Sequence, residues 1–284
     1  MCERYWCSFQ NWYSIFKSHS IPAVFEPIPE DVLAYLREDN VVLPKEAVLD
    51  NKLPEDEDEG YYVGSVVWDE QGESDDELNS PTFPEFSQRL ARCLDRFGNG
   101  CAFIKSNWSA PTDAAWVAID SSLKCTNLQD VYLLLKSSDK VSWDLDCDYE
   151  QLDCNYPKYY VVFKRWSDIH PADEFRCFVS GSKLVAISQR DPTKFFNGLQ
   201  ESKLDIVSSI DRFFYNVIKD KFPLDNYTFD VVRNSAGKIK ILDFGTFNWH
   251  SDPCLYTWSE LEEMEYEENI SPEFRYIPVD PIFI

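Results

Sequence analysis

Two acidic residues lie in neighbouring apolar runs in the second half of the sequence. Asp230 and Asp243 belong to YTFDVVRNSAGKIKILDFGTF, residues 227–247, whose two runs flank a short loop. If Asn234–Gly237 forms a four-residue turn, both aspartates lie on one face of a hairpin, diagonal to each other. Diagonal neighbours are about 7–8 Å apart. Carboxylates on a rigid strand pair are ligands that suit Mg²⁺, so the spacing predicts a metal site.

This prediction depends on the turn between the two runs. The four-residue turn pairs Arg233 with Lys238, whereas a turn one residue shorter places the two aspartates on opposite faces. Acids near strand ends also commonly face water or cap a loop. The metal site is therefore a hypothesis that needs support from other residues.

Cationic residues supply that support. Arg176 in EFRCFV and Arg190 in SQRD lie on neighbouring predicted strands, with Glu174 close by. A guanidinium group can hold phosphate through two parallel hydrogen bonds, and Lys105, at the end of a buried strand, can hold it as a point charge. Each cation alone is more typical of a surface residue whose stem packs on apolar neighbours. Together with the two acids, they predict a site for a nucleoside triphosphate and magnesium.

Known phosphate-binding loops do not account for this site. The sequence contains neither the pattern GxxxxGK followed by Ser or Thr nor the pattern GxGxxG. A Walker loop and a Rossmann fingerprint are therefore excluded.

Helices and hairpins are the elements that would position these residues. Amphipathic spacing predicts helices over 84–97, over 125–139 with a cap at Thr126 or Asn127, and over 202–220. The residues of the last helix expected to face inward are Leu204, Val207, Ile210, Phe214 and Val217. Apolar runs predict strands that end in Lys105 or cover 114–119, 159–166, 174–179, 183–190 and the two runs of the opening hairpin. This mixed order predicts an α+β fold.

Composition limits the class of protein and its partners. The chain has 284 residues, is 44% hydrophobic and carries a net charge of −23, so it can build a real core but repels phosphate backbones and anionic membranes. We therefore expect no direct contact with nucleic acid or membrane. No signal peptide and no run of roughly 20 apolar residues is visible, which predicts a cytoplasmic protein.

The cysteines and histidines do not indicate a metal centre of their own. Nine cysteines occur at irregular spacing without a CxxC pair, and the three histidines share no metal-like spacing with them. We expect the cysteines to be reduced.

Eight stretches together resemble the eukaryotic cell division cycle protein 123 family. The resemblance runs from about Cys7 to Trp258, and its motifs follow one another in the family's order and spacing. They are CSFQNWYSIFKSHSIPAVFEPIPEDVLAYL, FPEF, NWSAPTDAAWVA, SSLKC, LLLKSSD, EFRCFV, ISQRD and ILDF. The combination of NWSAP, SSLKC, EFRCFV and ISQRD is highly specific for that family.

The resemblance implies a fold and a function. It implies an ATP-grasp fold with antiparallel sheets flanked by helices, which binds ATP and Mg²⁺. It also implies an assembly chaperone that binds the gamma subunit of translation initiation factor two, promotes assembly of the heterotrimer, and supports translation initiation and the cell cycle. We expect a monomer when the chain is free. Neither ATP hydrolysis nor another enzymatic activity follows from the sequence.

The resemblance also assigns roles to positions of this chain. Lys105 and the loop Asn107, Trp108, Ser109 and Ala110 are similar to the phosphate-side lysine and lid. The backbone of Val162, Phe163 and Lys164 is similar to the hinge that binds adenine, with Trp166 nearby. Ribose and phosphate contacts correspond to Glu174, Arg176 and Arg190, and the magnesium ligands to Asp230 and Asp243.

One departure from the family pattern concerns the metal. The family usually reads DFNP after the second aspartate, with the asparagine as a further ligand, but this chain has Gly245 there. Asn248 or a water could substitute. Thr112 also stands where relatives often carry arginine. We therefore predict weaker binding of Mg²⁺-ATP than is usual in the family.

The resemblance and the composition together predict three segments. Residues 1–82 form an N-terminal segment with acidic, partly disordered loops at 54–59 and 69–77. Residues 83–258 form the ATP-grasp core, completed by packing of the N-terminal segment, and residues 259–284 form an acidic C-terminal tail. Two other functions stay open: a scaffold that binds partners but no nucleotide, and an ATP-grasp ligase that joins a carboxylate to an amine.

Overall fold

A computed structural model describes residues 3–49, 80–98, 100–118, 121–146, 159–264 and 271–278. The acidic loops predicted at 54–59 and 69–77 lie outside the described residues.

Nine helices and nine strands form the described part of the chain. The helices are α1 (Glu3–Cys7), α2 (Phe9–Phe16), α3 (Glu30–Arg37), α4 (Lys45–Leu49), α5 (Pro84–Asp95), α6 (Leu128–Lys136), α7 (Asp139–Asp146), α8 (Leu199–Phe213) and α9 (Trp258–Glu263). The strands are β1 (Ala23–Pro27), β2 (Ala102–Lys105), β3 (Lys124–Cys125), β4 (Tyr160–Arg165), β5 (Glu174–Ser180), β6 (Lys183–Gln189), β7 (Tyr227–Arg233), β8 (Ile239–Thr246) and β9 (Glu273–Arg275).

The chain divides into two compact units. One, the middle unit, comprises residues 23–166, and the other, the terminal unit, comprises residues 1–22 and 167–284. The division into three segments expected from the sequence stays a prediction. Part of the segment expected to be a tail is folded, because it contributes most of α9 and all of β9.

The middle unit is built on a four-stranded antiparallel sheet in the order β1-β4-β2-β3. Its helices cover the sheet with apolar side chains, which share one core that includes Leu90, Ile104, Tyr132 and Phe163. Helix α6 begins where the Asn127 side chain accepts a hydrogen bond from the Asp130 amide, so the predicted cap is correct.

The terminal unit is built on a five-stranded sheet in the order β8-β7-β5-β6-β9. Strands β5 to β8 form two antiparallel hairpins, as predicted, and β9 adds to β6 in parallel. Aromatic rings fix α2 against β8, because Phe16 stacks on Phe244 with ring centroids 5.3 Å apart. The Phe222 ring stacks on Phe244 from 4.2 Å.

Two local predictions are wrong. The run 114–119 was expected to be a strand, but Thr112–Val117 forms a 3₁₀-helix. The Asp113 carboxylate accepts hydrogen bonds from the Ser138 hydroxyl and the Lys140 amide, which holds this segment as a tight turn. The edge strand beside β2 is instead β3.

The second wrong prediction concerns Leu204, which was expected to face inward but is 82% exposed. Residues 200–205 of α8 are all exposed, and the helix buries Leu199 at its start and then Ile206 and the residues that follow on the same face. The predicted inward residues Val207, Ile210, Phe214 and Val217 are buried as expected, the last two in a π-helical turn over Phe214–Ile218.

Two further findings concern membrane helices and the state of the cysteines. None of the helices in the described ranges is long and apolar enough to cross a membrane. The six cysteines in those ranges are free thiols, as expected.

Candidate functional site

Asp230 and Asp243 lie directly opposite each other on β7 and β8. The turn is one residue longer than predicted, because Arg233 pairs with Ile239. That change alone would put the aspartates on opposite faces. The register shifts after Asp230, however, with Leu242 as the extra residue, and this bulge returns Asp243 to the face of Asp230. The two acids therefore share a face at a closer position than predicted, about 4.5–5.5 Å apart at Cα.

Arg176 binds one of the two acids. It pairs with Asp230 across β5 and β7. Its Nε donates to Asp230 Oδ1 over 2.8 Å and its Nη2 donates to Asp230 Oδ2 over 2.7 Å. Burial by itself lowers the pKa of Arg176, but the Asp230 carboxylate outweighs burial, so the pKa is raised. The charge on Asp230 is therefore balanced by a side chain of the protein.

Arg190 joins the same cluster from the end of β6. Its Nε lies 3.5 Å from Asp230 Oδ2, and its amide donates to the Glu174 carbonyl over 3.0 Å. Its Nη1 donates to Asp252 Oδ2 over 3.2 Å. The Arg190 side chain is 33% exposed, so part of its guanidinium group faces solvent. A solvent-facing guanidinium group beside a buried one can donate hydrogen bonds to a phosphate oxygen.

The loop after β8 folds over this cluster. The Asp252 carbonyl accepts a hydrogen bond from Arg176 Nη1 over 2.8 Å. Ser251 lies close to Gly245, because a Cβ built on Gly245 would be 2.9 Å from the Ser251 hydroxyl and 2.6 Å from the Thr228 hydroxyl. The space that a side chain at residue 245 would need is therefore occupied.

The predicted magnesium ligands fit a metal ion only in part. Both oxygens of Asp230 accept hydrogen bonds from Arg176. The Asn248 oxygen accepts two hydrogen bonds, from the Thr246 hydroxyl and the His250 amide. Both of its lone pairs are therefore engaged in hydrogen bonds within the loop. Asp243 remains a suitable oxygen donor, with one oxygen accepting from the Phe244 amide. The parts of the chain that the structure describes contain no group of three acidic, histidine or cysteine side chains suited to a metal.

In the middle unit, Lys105 ends β2 with its ammonium group turned toward the following loop. The side chain is buried, and its Nζ donates to the Trp108 carbonyl over 2.8 Å. Asn107 is also buried, and its oxygen accepts a hydrogen bond from the Tyr160 amide over 2.7 Å. Both predicted residues are thus part of a fixed loop beside β4.

A buried acid holds the same loop. Asp144 on α7 accepts a hydrogen bond from the Ser106 hydroxyl and another from the Ser109 amide, the latter over 2.9 Å. The Ser106 amide in turn donates to the Ser109 carbonyl over 2.8 Å. Ala110 follows at once, and its carbonyl accepts from the Thr112 amide. The loop predicted to lie over the phosphates is therefore ordered by α7.

The residues of the predicted adenine hinge lie in the interior of the four-stranded sheet. Val162, Phe163 and Lys164 lie in β4, a central strand, and each pairs with both β1 and β2. Their backbone groups lie within these two ladders. The adenine-binding role of these residues stays a prediction. Trp166 follows the strand and is half-buried.

Comparison with known proteins places the chain in a family. A sequence model described as D123 matches residues 12–281. The chain belongs to the D123 family. A Xenopus laevis relative named translation initiation factor eIF2 assembly protein is 38% identical over 290 residues, covering 95% of this chain and 83% of the relative. A relative named cell division cycle protein 123, from Yarrowia lipolytica, is 36% identical over 91% of this chain and 67% of its own. The family expected from the motifs is confirmed.

A solved D123-family structure agrees with the fold. Cdc123 from Schizosaccharomyces pombe superimposes with a TM-score of 0.75 at 31% identity, covering 96% of each chain. The predicted α+β class is confirmed, and the chain shares the fold of that structure.

The residues predicted for this D123-family chain fall into two sets. The middle unit contains Lys105, Asn107, Trp108, Ser109, Ala110, Val162, Phe163, Lys164 and Trp166. The terminal unit contains Glu174, Arg176, Arg190, Asp230, Asp243 and Asn248. Within the terminal unit the structure brings Arg176, Arg190 and Asp230 into one hydrogen-bonded and ion-paired cluster.

Two acidic residues that hold the candidate site residues in place were not predicted from the sequence. Asp252 binds both arginines, and the only local signal for it is an Asp-Pro pair in a loop. Asp144 had a stronger signal. It stands between Val141 and Leu145 on the buried stripe of α7, and an acid at an apolar position of a helix indicates a specific partner.

Proposed function

We propose that this chain is an ATP-binding assembly chaperone for the heterotrimeric translation initiation factor eIF2. It binds the gamma subunit, acts in the cytoplasm and supports the cell cycle. The observation that carries the proposal is the match of 95% of the chain to a relative named for eIF2 assembly. The free chain is a monomer that binds neither nucleic acid nor membrane directly.

The arginine cluster supports the nucleotide part of the proposal. Arg176 is fixed by Asp230, so it offers a preorganised positive charge on the sheet. Arg190 is anchored less firmly, since its side chain is 33% exposed and its Nη2 makes no hydrogen bond with the residues that the structure describes. Phosphate oxygens are expected at Arg190, because a guanidinium group there can bind them without breaking the Arg176–Asp230 pair.

Magnesium has a smaller role in this proposal than is usual in the family. Asp230 and Asn248 accept hydrogen bonds within the protein. Asp243, which lies opposite Asp230, is the other predicted carboxylate ligand and would hold Mg²⁺. The ion would reduce the negative charge of the phosphates. The arrangement therefore favours weak dependence of ATP affinity on Mg²⁺.

Calorimetric titration tests the nucleotide part. We expect ATP to bind in the micromolar range, about −7 kcal/mol. The Arg190→Gln variant is expected to bind about tenfold more weakly, since it loses the solvent-facing guanidinium group. The matched control is Arg212→Gln, which removes one positive charge from an exposed position on α8. Omitting Mg²⁺, or introducing Asp243→Ala, should change the affinity by less than about tenfold.

A scaffold that binds partners but no nucleotide is the second candidate. Its support is specific: the arginines are already paired with acids of the chain, and no metal set is complete in the described residues. An absence of ATP binding in the unmodified protein would favour this candidate and contradict the nucleotide part. Failure to retain purified gamma subunit in a pull-down would contradict the partner assignment.

A further inference from the structure

Asp252 occupies the position beside Arg190 where a phosphate oxygen is expected. Its carboxylate lies 3.2 Å from Arg190 Nη1, and its carbonyl accepts from Arg176 Nη1 over 2.8 Å. Both contacts are of the kind that a phosphate group makes with two arginines. Asp252 thus contacts both cations predicted for the ligand, with its charged side chain at Arg190 and its backbone carbonyl at Arg176.

The two contacts differ in how easily they can be exchanged. The Arg176 contact is buried and uses the backbone, so it anchors the loop. The Arg190 contact is an ion pair whose carboxylate side is 51% exposed. Solvent-exposed ion pairs are weak, so a ligand with several negative charges can replace the Asp252 carboxylate at Arg190.

The loop reaches this position because of Gly245. The Ser251 hydroxyl lies where it would collide with a side chain at residue 245. Cys254, two residues after Asp252, has a φ of 56°, which residues other than glycine rarely adopt. Its amide donates to Asp252 Oδ1 over 2.9 Å, which helps to hold this conformation. The departure from the family pattern at residue 245 and the placement of Asp252 are therefore linked.

We propose that Asp252 is an internal competitor of the nucleotide phosphates for Arg190. The proposal rests on the proposed binding of ATP by this chain. Binding of ATP requires the Asp252 carboxylate to leave Arg190 while the Asp252 carbonyl stays on Arg176. The competition lowers the affinity of the unmodified chain for ATP.

Calorimetric titration of Asp252→Asn with ATP and with inorganic tripolyphosphate tests the competition. The variant keeps the size of the side chain and an oxygen for the Cys254 amide but removes the charge. We expect it to bind both ligands three- to tenfold more tightly than the unmodified chain. A second variant, Asp252→Ser, keeps an acceptor for the same amide and should show the same gain. Thermal unfolding of each variant confirms that it is folded.

The matched control removes an acid elsewhere in the same unit. Asp225 accepts a hydrogen bond from Ser182 and has no contact with either arginine among those described. Asp225→Asn lowers the net negative charge by the same amount, so it measures the general effect of charge on ATP binding. The gain in Asp252→Asn must exceed the gain in this control.

Each outcome separates the competition from nucleotide binding itself. ATP binding by the unmodified chain with equal affinities in Asp252→Asn and Asp225→Asn overturns the competition and leaves the proposed function intact. Weaker binding by Asp252→Asn also overturns it. Binding by Asp252→Asn alone supports the competition strongly. No binding of either ligand by any variant overturns both the competition and the nucleotide part of the proposed function.

Discussion

At the scale of single residues, the surroundings of Gly245 decide what the site can hold. A Cβ at this position would lie 2.6 Å from the Thr228 hydroxyl and 2.9 Å from the Ser251 hydroxyl. Both atoms belong to short side chains that cannot swing far. The Thr228 hydroxyl is buried and has no hydrogen-bond partner in the described part of the chain. Restoring the family asparagine at residue 245 therefore requires changes at its neighbours as well.

A double-mutant cycle tests this steric conflict. We expect Gly245→Ala to lower the free energy of unfolding by about 2 kcal/mol, the cost of overpacking a closed site. In a Thr228→Ala/Ser251→Ala background, which removes both hydroxyls, the same change should cost at least about 1 kcal/mol less. Urea denaturation measures both costs. Equal costs in the two backgrounds would contradict the conflict, and Gly245→Asn alone would then be a fair test of the metal ligand predicted from the family pattern.

At the scale of elements, α7 orders the loop that follows β2. The link is the Asp144 carboxylate, which accepts hydrogen bonds from Ser106 and Ser109 while 1% of the residue is exposed. A carboxylate in such a place is stable because these donors replace its lost water. The loop predicted to lie over the phosphates therefore depends on a helix more than thirty residues away in sequence.

Asp144→Ala should break this link. It removes the oxygen, Oδ2, that accepts from both the Ser106 hydroxyl and the Ser109 amide, so we expect a loss of about 2 kcal/mol in the free energy of unfolding. Asp146→Ala is the matched control on the same helix, because Asp146 is 64% exposed and 3.7 Å from Arg37. The control should change stability by less than about 0.5 kcal/mol. Similar urea midpoints for the two variants would show that Asp144 does not hold the loop.

At the scale of the whole molecule, the net charge of −23 governs association. A surface of one sign attracts a basic partner over a distance, and dissolved salt screens that attraction. Charges outside the close contact mainly affect the rate of association and have less effect on the rate of dissociation.

The proposed binding to the gamma subunit should therefore be faster at low salt than at high salt. Between 50 and 500 mM NaCl, we expect the association rate constant to fall about tenfold while the dissociation rate constant changes much less. Surface plasmon resonance with immobilised gamma subunit measures both. An association rate constant that does not change with salt would contradict steering by the acidic surface.

Several elements could be predicted from the sequence because their signals are local. The apolar stripe of α5, the Asn127 cap of α6 and the two hairpins of the terminal unit follow from spacing within about twenty residues. The motifs that identify the family are equally local in the sequence. Local signals failed where a segment could form either a strand or a helical turn. Thr112–Val117 is such a segment, and it becomes a 3₁₀-helix because Asp113 contacts Ser138 and Lys140.

By itself, the sequence determined the α+β class, the family, the hairpin with its two aspartates, and the presence of Arg176 and Arg190 on neighbouring strands. Only the tertiary structure decided which charges meet. The bulge at Leu242, the central place of β4, and the contacts of Asp252 and Asp144 arise from segments distant in sequence or from a one-residue shift. The spacing of apolar residues predicts which face of a helix or strand a residue occupies. The partner that it contacts on that face depends on how distant segments pack.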